Sequence, residues 1–331
     1  MLVDTIDFFR LDANRKLDPG CRSELGQFMT PPATTRLMAS MFRAEAANLV
    51  LLDAGAGVGS LTAAFVAEVC GRDHKPQSID VTAYEIDSAL IEYLHATLDQ
   101  CRKACDSEHV AFEPHLVNRD FIEDAARKLR QEMFTPVKRF NCAILNPPYK
   151  KISSNSEMRT TLRELGVETS NLYTGFLAIV LKLLADGGEL VAITPRSFCN
   201  GPYFKPFRKL LLEALAIRRI HVFESRQVTF REDDVLQENV IFYGVKGGSK
   251  GNVVISSSTG PEDDLVVVNE VKYEQVVRPG DPEHFIHIVP DELGASAGDF
   301  VYSVRPILHG LGLDVSSATS VLSKAQQDVH R

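Results

Sequence analysis

The run of residues best suited to chemistry in this sequence is Asn-Pro-Pro-Tyr at positions 146–149. It follows the apolar run 143–145, which predicts a short buried strand, and its two prolines end that strand in a stiff loop. In an open α/β sheet, loops at the carboxyl ends of strands bind ligands. The amide of Asn146, the carbonyl of Pro147 and the ring of Tyr149 together suit a flat ring that carries an exocyclic amine. For these four residues alone, a proline turn with a packing tyrosine is the plain structural alternative.

A glycine-rich turn occupies positions 53–60, with the sequence Asp-Ala-Gly-Ala-Gly-Val-Gly-Ser. It stands between the apolar run 49–52, predicted as a strand, and a helix predicted at 61–69. Strand, glycine turn and helix are the first unit of a nucleotide-binding α/β fold, although one such turn is weak evidence for a ligand. Glu85 closes the second predicted strand, where such folds hold two ribose hydroxyls with a carboxylate. Asp87 suits the plainer role of a helix cap.

The chain has 331 residues and an ordinary globular composition, 44% hydrophobic and 24% charged, which suits one large domain and a smaller one. No apolar run approaches the ~18 residues of a membrane helix, and the N-terminus lacks the layout of a secretory signal, so we expect a cytoplasmic protein. Six scattered cysteines complete no zinc pattern, which predicts reduced structural thiols and no metal site. The net charge of −8 argues against a wholly basic surface, but it allows a locally positive cleft.

Successive apolar runs predict seven strands with helices between the first six. The segment 224–238 is too polar for a packed helix, so the last strand, at 240–245, is expected to run antiparallel to its neighbours. Residues 150–168 lack clear apolar periodicity and predict a mobile loop beside the site. We therefore expect one α/β domain over residues 1–246. Residues 247–331 are too poor in apolar side chains for a core of their own, and they predict a small extension with two short strands.

Six short motifs, in their order along residues 22–245, resemble the gamma class of DNA adenine-N6 methyltransferases from bacterial restriction-modification systems. Each motif is weak alone, but six in one order, each at the end of its expected strand, are a strong signal. The resemblance implies a Rossmann-like seven-stranded methyltransferase sheet whose last strand is antiparallel, followed by a short C-terminal extension. The motifs are Gly-Gln-Phe-Met-Thr-Pro at 26–31, Asp-Ala-Gly-Ala-Gly at 53–57, Glu-Ile-Asp at 85–87, Asp-Phe at 120–121, the tetrapeptide at 146–149 and Asn-Leu-Tyr at 171–173.

The resemblance implies that S-adenosyl-L-methionine is the methyl donor. It implies that Glu85 holds the ribose hydroxyls, that Ile86 lies flat against the adenine, and that Asp120 accepts a hydrogen bond from the adenine amine. Asp53 either contacts the donor or orders the loop. The residues expected to bind the donor are Phe28 and Thr30 on the methionine side, with Asp53, Ala54, Gly55, Gly57, Glu85, Ile86, Asp120, Phe121 and Asn146.

The resemblance also implies the chemistry of the tetrapeptide. The N6 lone pair of adenine is delocalised into the ring, so the amine is a poor nucleophile. The Asn146 side-chain oxygen and the Pro147 carbonyl would accept both amine hydrogens and draw the nitrogen toward tetrahedral geometry. Tyr149 would stack on a base flipped out of the duplex, with Phe230 opposite it and Phe223 as the alternative, for which a core role is open. The expected catalytic residues are Asn146, Pro147, Pro148 and Tyr149.

Double-stranded DNA is the expected partner. The family continues with a recognition domain, and this chain ends soon after residues 311–316, where that domain would begin. This predicts either a truncated member or a separate recognition subunit, alongside a cognate restriction endonuclease system. Five basic residues near the cleft are candidates for phosphate contacts, although each alone suits a solvated surface charge: Lys150, Lys151, Arg196, Lys205 and Arg208.

Two other functions stay open on the sequence. One is methyl transfer to protein glutamine or to RNA, because Asn-Pro-Pro-Tyr recurs in those families and an amide nitrogen poses the same chemical problem. The motifs at 26–31 and 171–173 favour DNA over both. The other is a chain that binds the donor but has no activity.

Overall fold

The computed structural model describes residues 2–17, 29–223, 239–260 and 267–288, in which apolar runs form strands and amphipathic runs form helices. The strands are β1 (Asn48–Ala54), β2 (Ser78–Tyr84), β3 (Ala111–Val117), β4 (Phe140–Leu145), β5 (Leu184–Pro195), β6 (Leu215–Phe223), β7 (Asn239–Lys246), β8 (Val253–Ser258) and β9 (Val267–Val271). The helices are α1 (Leu2–Lys16), α2 (Pro32–Ala39), α3 (Ser60–Cys70), α4 (Ile91–Ser107), α5 (Phe121–Arg130), α6 (Glu157–Glu164), α7 (Leu172–Leu183), α8 (Lys205–Ala214) and α9 (Tyr273–Val276). Short 3-10 turns occur at Ser88–Leu90, Arg196–Cys199 and Pro202–Phe204.

These strands form one mixed sheet in the order β3-β2-β1-β4-β5-β7-β6-β8-β9. The first five strands pair in parallel, as expected where helices connect them. β7 lies between β5 and β6 and runs antiparallel to both. The prediction of an antiparallel last strand in the methyltransferase sheet is therefore confirmed.

The prediction of seven strands is wrong, because the described residues form a sheet of nine. The two extra strands come from the extension: β8 pairs in parallel with β6, and β9 pairs antiparallel with β8. Without β8, the outer edge of β6 would expose a row of unpaired backbone N–H and C=O groups. Strands too short to bury a core of their own thus complete the edge of the larger sheet. The expected division of the chain at residue 246 stays a prediction.

Both faces of the sheet are covered by helices. α1, α2, α3 and α4 pack on one face, where the core includes Met38, Phe42 and Phe65. α5, α6, α7 and α8 pack on the other face, with Phe121 and Leu177 among the buried residues. Buried strands with helices on both sides are typical of an open α/β sheet.

The chain reverses its direction across the sheet at β1. From β1 it proceeds outward through β2 to β3, and then returns to β4 on the opposite side of β1. Asp53, near the end of β1, lies in register with Ala83 of β2 and Ile144 of β4, so the three strands end side by side. Such a switch point leaves a crevice at the carboxyl ends of the strands, where ligands of these folds bind.

The segment 150–168 is not only a loop, as its composition had indicated, because it contains the helix α6. The Ser156 hydroxyl caps this helix by accepting a hydrogen bond from the Arg159 N–H at 3.3 Å. Leu162 is fully buried against α5 and α7, and Gly166 follows the helix with φ of +73°. A single buried leucine on an eight-residue helix is too weak a periodic signal to detect in the sequence.

The five cysteines among the described residues are all free and buried, as expected of structural thiols. The Sγ atoms of Cys70 and Cys105 lie 3.8 Å apart where α3 packs on α4. None of the helices in the described ranges is long and apolar enough to cross a membrane.

His221 joins the β6 and β8 strands inside the core. Its ring is fully buried, with Nδ1 2.9 Å from the Ser256 hydroxyl and Nε2 3.2 Å from the Ser258 hydroxyl. The ring also packs edge-on against Phe223, with the centroids 4.8 Å apart. Burial lowers the pKa of His221 from 6.5 to about 4, so the imidazole stays neutral in the folded protein near pH 7.

We expect the contribution of His221 to the free energy of unfolding to fall by up to roughly 3 kcal/mol as the pH is lowered from about 6.5 to about 4. In this window the unfolded chain binds a proton at His221 and the folded chain does not. Urea unfolding at several pH values, for the wild type and His221→Gln, measures the effect. Between pH 6.5 and 4 the wild type should lose more of its free energy of unfolding than the His221→Gln variant, because other titrating groups contribute equally to both proteins; equal slopes in both proteins would contradict the assignment.

Candidate functional site

The glycine turn between β1 and α3 is anchored by a buried carboxylate. Asp53 is completely buried, and its Oδ2 accepts a hydrogen bond of 2.7 Å from the Thr62 hydroxyl in the first turn of α3. Burial raises the pKa of Asp53 to about 7. Neither Asp53 nor Ala54 lines the crevice. Asp53 therefore orders the turn in this structure.

Glu85 connects the glycine turn to the loop after β2. Its Oε2 accepts a hydrogen bond of 2.8 Å from the Gly57 N–H, and its Oε1 accepts one of 2.7 Å from the Asp87 N–H. Burial raises the pKa of Glu85, and these backbone hydrogen bonds oppose that shift. Asp87 caps the 3-10 turn that follows, as the sequence predicted, by accepting from the Ala89 N–H. Next to Glu85, the side chain of Ile86 is 54% exposed at the crevice.

Three aromatic side chains, Tyr84, Phe121 and Phe176, form an aromatic wall of the crevice. The rings of Tyr84 and Phe121 meet edge-to-face at 5.2 Å, and Phe121 lies 5.1 Å from Phe176. Asp120 caps α5, with Oδ1 accepting from the Glu123 N–H at 2.9 Å, and this cap fixes the chain just before Phe121. The wall and the exposed Ile86 leave an apolar slot suited to a flat ring.

Asn146 lies at the end of β4 and contacts the segment before α2. Its Nδ2 donates a hydrogen bond of 3.1 Å to the Thr30 hydroxyl. This bond joins two of the predicted motifs, which are 116 residues apart in the chain. Thr30 is buried, so the amide of Asn146 is held against the protein interior on one side.

Two other residues of the tetrapeptide, Pro147 and Tyr149, do not line the slot. Pro147 is buried, Pro148 is half-buried beside the slot, and Tyr149 is half-buried behind it. The Tyr149 hydroxyl donates to the Ile193 carbonyl at 3.4 Å, at the end of β5. Its ring packs edge-on against Tyr173, with centroids 6.2 Å apart.

One cavity of about 260 Å³ unites these features. It is lined by nine residues that the sequence predicted: Thr30, Gly55, Gly57, Glu85, Ile86, Asp120, Phe121, Asn146 and Pro148. Asp53, Ala54, Pro147 and Tyr149 lie outside its lining. Phe28 and Phe230 fall outside the described residues. Phe223 is buried in the core beside His221, away from the cavity.

Sequence reasoning missed several lining residues. Leu172 and Phe176 are one turn apart on α7, and this spacing could have indicated that both face the site. Met158 comes from α6, which was not predicted. Lys150, which the sequence predicted near the cleft as a phosphate contact, also lines the cavity. The complete set that was missed is Met29, Ala56, Val58, Ser60, Leu61, Tyr84, Leu90, Arg119, Met158, Leu172 and Phe176.

The arrangement combines three chemical functions in one crevice. A buried carboxylate at Glu85 can accept from hydroxyl groups, the slot between Ile86 and the aromatic wall can hold a flat ring, and Asn146 offers an amide at the far end. A nucleoside whose ribose carries a polar tail fits this spatial arrangement of groups.

Comparison with known proteins agrees with this architecture. Residues 68–229 match the family model of the Eco57I restriction-modification methylase. The type II methyltransferase M.PstI of Providencia stuartii is 41% identical over 330 residues, covering 99% of this chain and 64% of the relative. M.BsuBI of Bacillus subtilis, also a type II methyltransferase, is 45% identical over 293 residues, covering 87% of this chain and 56% of the relative. The chain thus spans about three fifths of the length of these relatives.

Solved structures share the fold at low sequence identity. A modification subunit of a type I restriction enzyme from Vibrio vulnificus superposes with a TM-score of 0.60 at 12% identity, covering 83% of this chain and 61% of that one. A class I S-adenosylmethionine-dependent methyltransferase of Listeria monocytogenes gives 0.53 at 16% identity, covering 71% and 67%. The fold is that of an α/β methyltransferase.

The glycine turn allows a test of its geometry. Gly57 and Gly59 both have positive φ, +59° and +87°, but only at Gly59 would a Cβ collide with α4, at 2.8 Å from Thr97 and 2.9 Å from Leu94. Gly57→Ala should therefore lower the free energy of unfolding by about 1 kcal/mol through backbone strain alone. Gly59→Ala should lower it by roughly 3 kcal/mol, because overpacking adds to the strain. Urea unfolding without ligand measures both, and equal losses would contradict the described packing of the turn on α4.

Proposed function

We propose that this chain transfers a methyl group from S-adenosyl-L-methionine to the N6 amine of adenine in double-stranded DNA, because residues 68–229 match the family model of the Eco57I restriction-modification methylase. The observation that carries the proposal is the single cavity that contains Glu85, Phe121 and Asn146 together. It joins a nucleoside slot to an amide that can accept hydrogen bonds from an amine. The crevice lies at the switch point of the sheet, as in other nucleotide-binding α/β folds.

The residues of the cavity fit the donor. Each carboxylate oxygen of Glu85 has two acceptor positions, and the Gly57 and Asp87 N–H groups use one on each oxygen. The remaining positions can accept the two ribose hydroxyls. Ile86 and Phe121 would enclose the adenine ring, with the amine near Asp120. Phe28 and Thr30 would lie on the methionine side.

The chemistry at the amine depends on two proposed acceptors, of which Asn146 lines the cavity and Pro147 does not. When bound, S-adenosyl-L-methionine supplies a methyl group activated by a positively charged sulfur. Asn146 binds Thr30 through Nδ2, so the amide orientation is fixed and Oδ1 serves as the acceptor for one amine hydrogen. The Pro147 carbonyl accepts the other. Fixed acceptors favour the more tetrahedral, nucleophilic nitrogen without a strong base, and close approach of the reactants supplies much of the remaining acceleration.

The target base must leave the duplex to reach this loop. We propose that Tyr149 stacks on the flipped base and that Phe230 closes over its other face. Phe223 is an unsuitable partner, because its ring is buried in the core against His221. Since the chain spans about three fifths of its curated relatives, we further propose that selection of the DNA sequence depends on additional protein, either a further domain or a separate recognition subunit of a restriction-modification system.

Asn146→Ala should lower the rate of methyl transfer at least about 100-fold, because the amine loses its fixed acceptor. Donor binding, measured by calorimetry, should persist. The assay follows labelled methyl groups from the donor into unmethylated genomic DNA, with release factors and RNA as competing acceptors. Asn252→Ala, which removes an asparagine on the far edge of the sheet, is the matched control.

Each outcome of this assay has a distinct meaning. Transfer to protein or RNA in preference to DNA would replace the proposed substrate, and donor binding without transfer to any acceptor would favour a chain without activity. Unchanged transfer by the Asn146→Ala variant would overturn the assigned mechanism.

Glu85→Ala should show the reverse pattern and weaken donor binding first, raising the dissociation constant by roughly 10- to 100-fold through loss of charged hydrogen bonds. Calorimetric titration with S-adenosyl-L-methionine measures this change. Glu92→Ala, at an exposed carboxylate early in α4, is the control and should bind the donor as the wild type does. Equal affinity of the Glu85→Ala variant and the wild type would contradict the ribose-binding role.

A further inference from the structure

Arg208 is a buried arginine in α8, and it does not reach the cleft surface where a phosphate contact was expected. Its exposed fraction is 0%. Nη1 donates to the carbonyls of Phe198 and Gly201 at 3.0 and 2.6 Å, and Nε donates to the Glu283 carbonyl at 3.0 Å. The guanidinium thus joins the turn of residues 196–204, which follows β5, to the segment 281–288 near the end of the described chain.

The segment 281–288 is held in place by further contacts. Phe285 packs under the guanidinium, with its ring centroid 4.9 Å from the Arg208 Cζ. The Ile286 N–H donates to the Cys199 carbonyl at 2.9 Å, and Arg196 donates to the Ile288 carbonyl at 3.3 Å. Hydrogen bonds therefore connect the 196–204 turn and the 281–288 segment directly, and Arg208 also binds both of them.

The 196–204 turn also contacts Tyr173 of α7, which lies next to Tyr149. The Ser197 hydroxyl lies 3.3 Å from the Tyr173 hydroxyl, and the Phe204 ring lies 5.9 Å from the Tyr173 ring. Tyr173 in turn packs edge-on against Tyr149 at 6.2 Å and 77°. A continuous series of contacts therefore runs from Arg208 through the turn and Tyr173 to Tyr149.

We propose that Arg208 is a positioning residue for methyl transfer: by holding the 196–204 turn against Tyr173, it fixes the orientation of the Tyr149 ring. The proposal rests on the proposed function, in which Tyr149 stacks on the target base. The proposal also gives the 281–288 segment a role in positioning Tyr149. This segment supplies the Glu283 carbonyl that Arg208 binds and the Phe285 ring that packs on the guanidinium.

The choice of arginine supports a geometric role. Its planar fork can donate to several carbonyls in fixed directions at once, whereas a lysine ammonium at the same place is a single flexible donor centre. A buried ionic group is weak evidence for stability, because its desolvation opposes the contacts it makes. An apolar side chain could fill the same space, but it could not hold two separate segments at their carbonyl groups.

Arg208→Lys is the main test, with Lys209→Met as control, because Lys209 is a neighbouring cation whose side chain is 61% exposed. We expect the Arg208→Lys variant to keep the donor dissociation constant within about twofold and to lose at least about tenfold in turnover, since small misplacements of a reacting pair slow a reaction strongly. A loss confined to donor affinity, or unchanged turnover, would overturn the proposal.

A second measurement does not depend on activity. The chain has eight tyrosines, so fluorotyrosine labelling gives a small set of ¹⁹F resonances. Single Tyr→Phe substitutions at Tyr149, Tyr173, Tyr93 and Tyr243 assign the four resonances that are compared. In the Arg208→Lys variant the Tyr149 and Tyr173 resonances should shift, while those of Tyr93 and Tyr243, in the opposite face of the protein, should not. Shifts spread over all tyrosines, or none at Tyr149, would contradict a specific positioning role.

Phe285→Leu provides the same test without changing Arg208. It removes the ring under the guanidinium, and it should move the same two resonances and lower turnover by a smaller factor. If neither this variant nor Arg208→Lys folds, the role of the residue is structural and the proposal fails. If the wild type transfers no methyl group to DNA, the proposed function fails, while the resonance shifts still decide whether Arg208 orients Tyr149.

Discussion

The position of β1 at the centre of the parallel strands is the constraint on which the site depends. The chain leaves β1 toward β2 and β3 and returns on its other side at β4, so the loops after three strands meet at one edge. Glu85 accepts hydrogen bonds from backbone N–H groups of the loops after β1 and β2. Asn146, in the loop after β4, donates a hydrogen bond to Thr30 in the segment before α2. None of these three hydrogen bonds involves an exposed side chain. The pocket is therefore formed before any ligand arrives, which reduces the entropy lost on binding.

The sequence predicted the parts of the site that depend on local rules. Glycines with positive φ, a carboxylate at the end of β2, and the cap at Asp87 follow from backbone sterics and unsatisfied N–H groups, which act over a few residues. The antiparallel β7 followed from the lack of a crossover helix before it. These features could be predicted because each depends on a pattern of residues within a short window of the sequence.

The features that were missed depend on distant partners. α6 has one fully buried leucine, whose partners belong to α5 and α7, and Arg208 looks like any surface cation until the 281–288 segment covers it. The strands of the extension gave no indication that they pair with β6. Phe28 and Phe230 lie outside the described residues, and their roles stay predictions, as do the domain boundary at residue 246 and the cytoplasmic location.

The outer strands of the sheet also affect how the protein behaves at high concentration. Among the described residues, the edge strands are β3 on one side and the five-residue β9 on the other. β3 carries Pro114, which lacks a backbone donor, and a largely exposed charge at Glu113. Proline, charge and short length each discourage a second sheet from adding to an open edge. In the part of the chain that the structure describes, the nine-stranded sheet thus ends in two strands that discourage edge-to-edge aggregation.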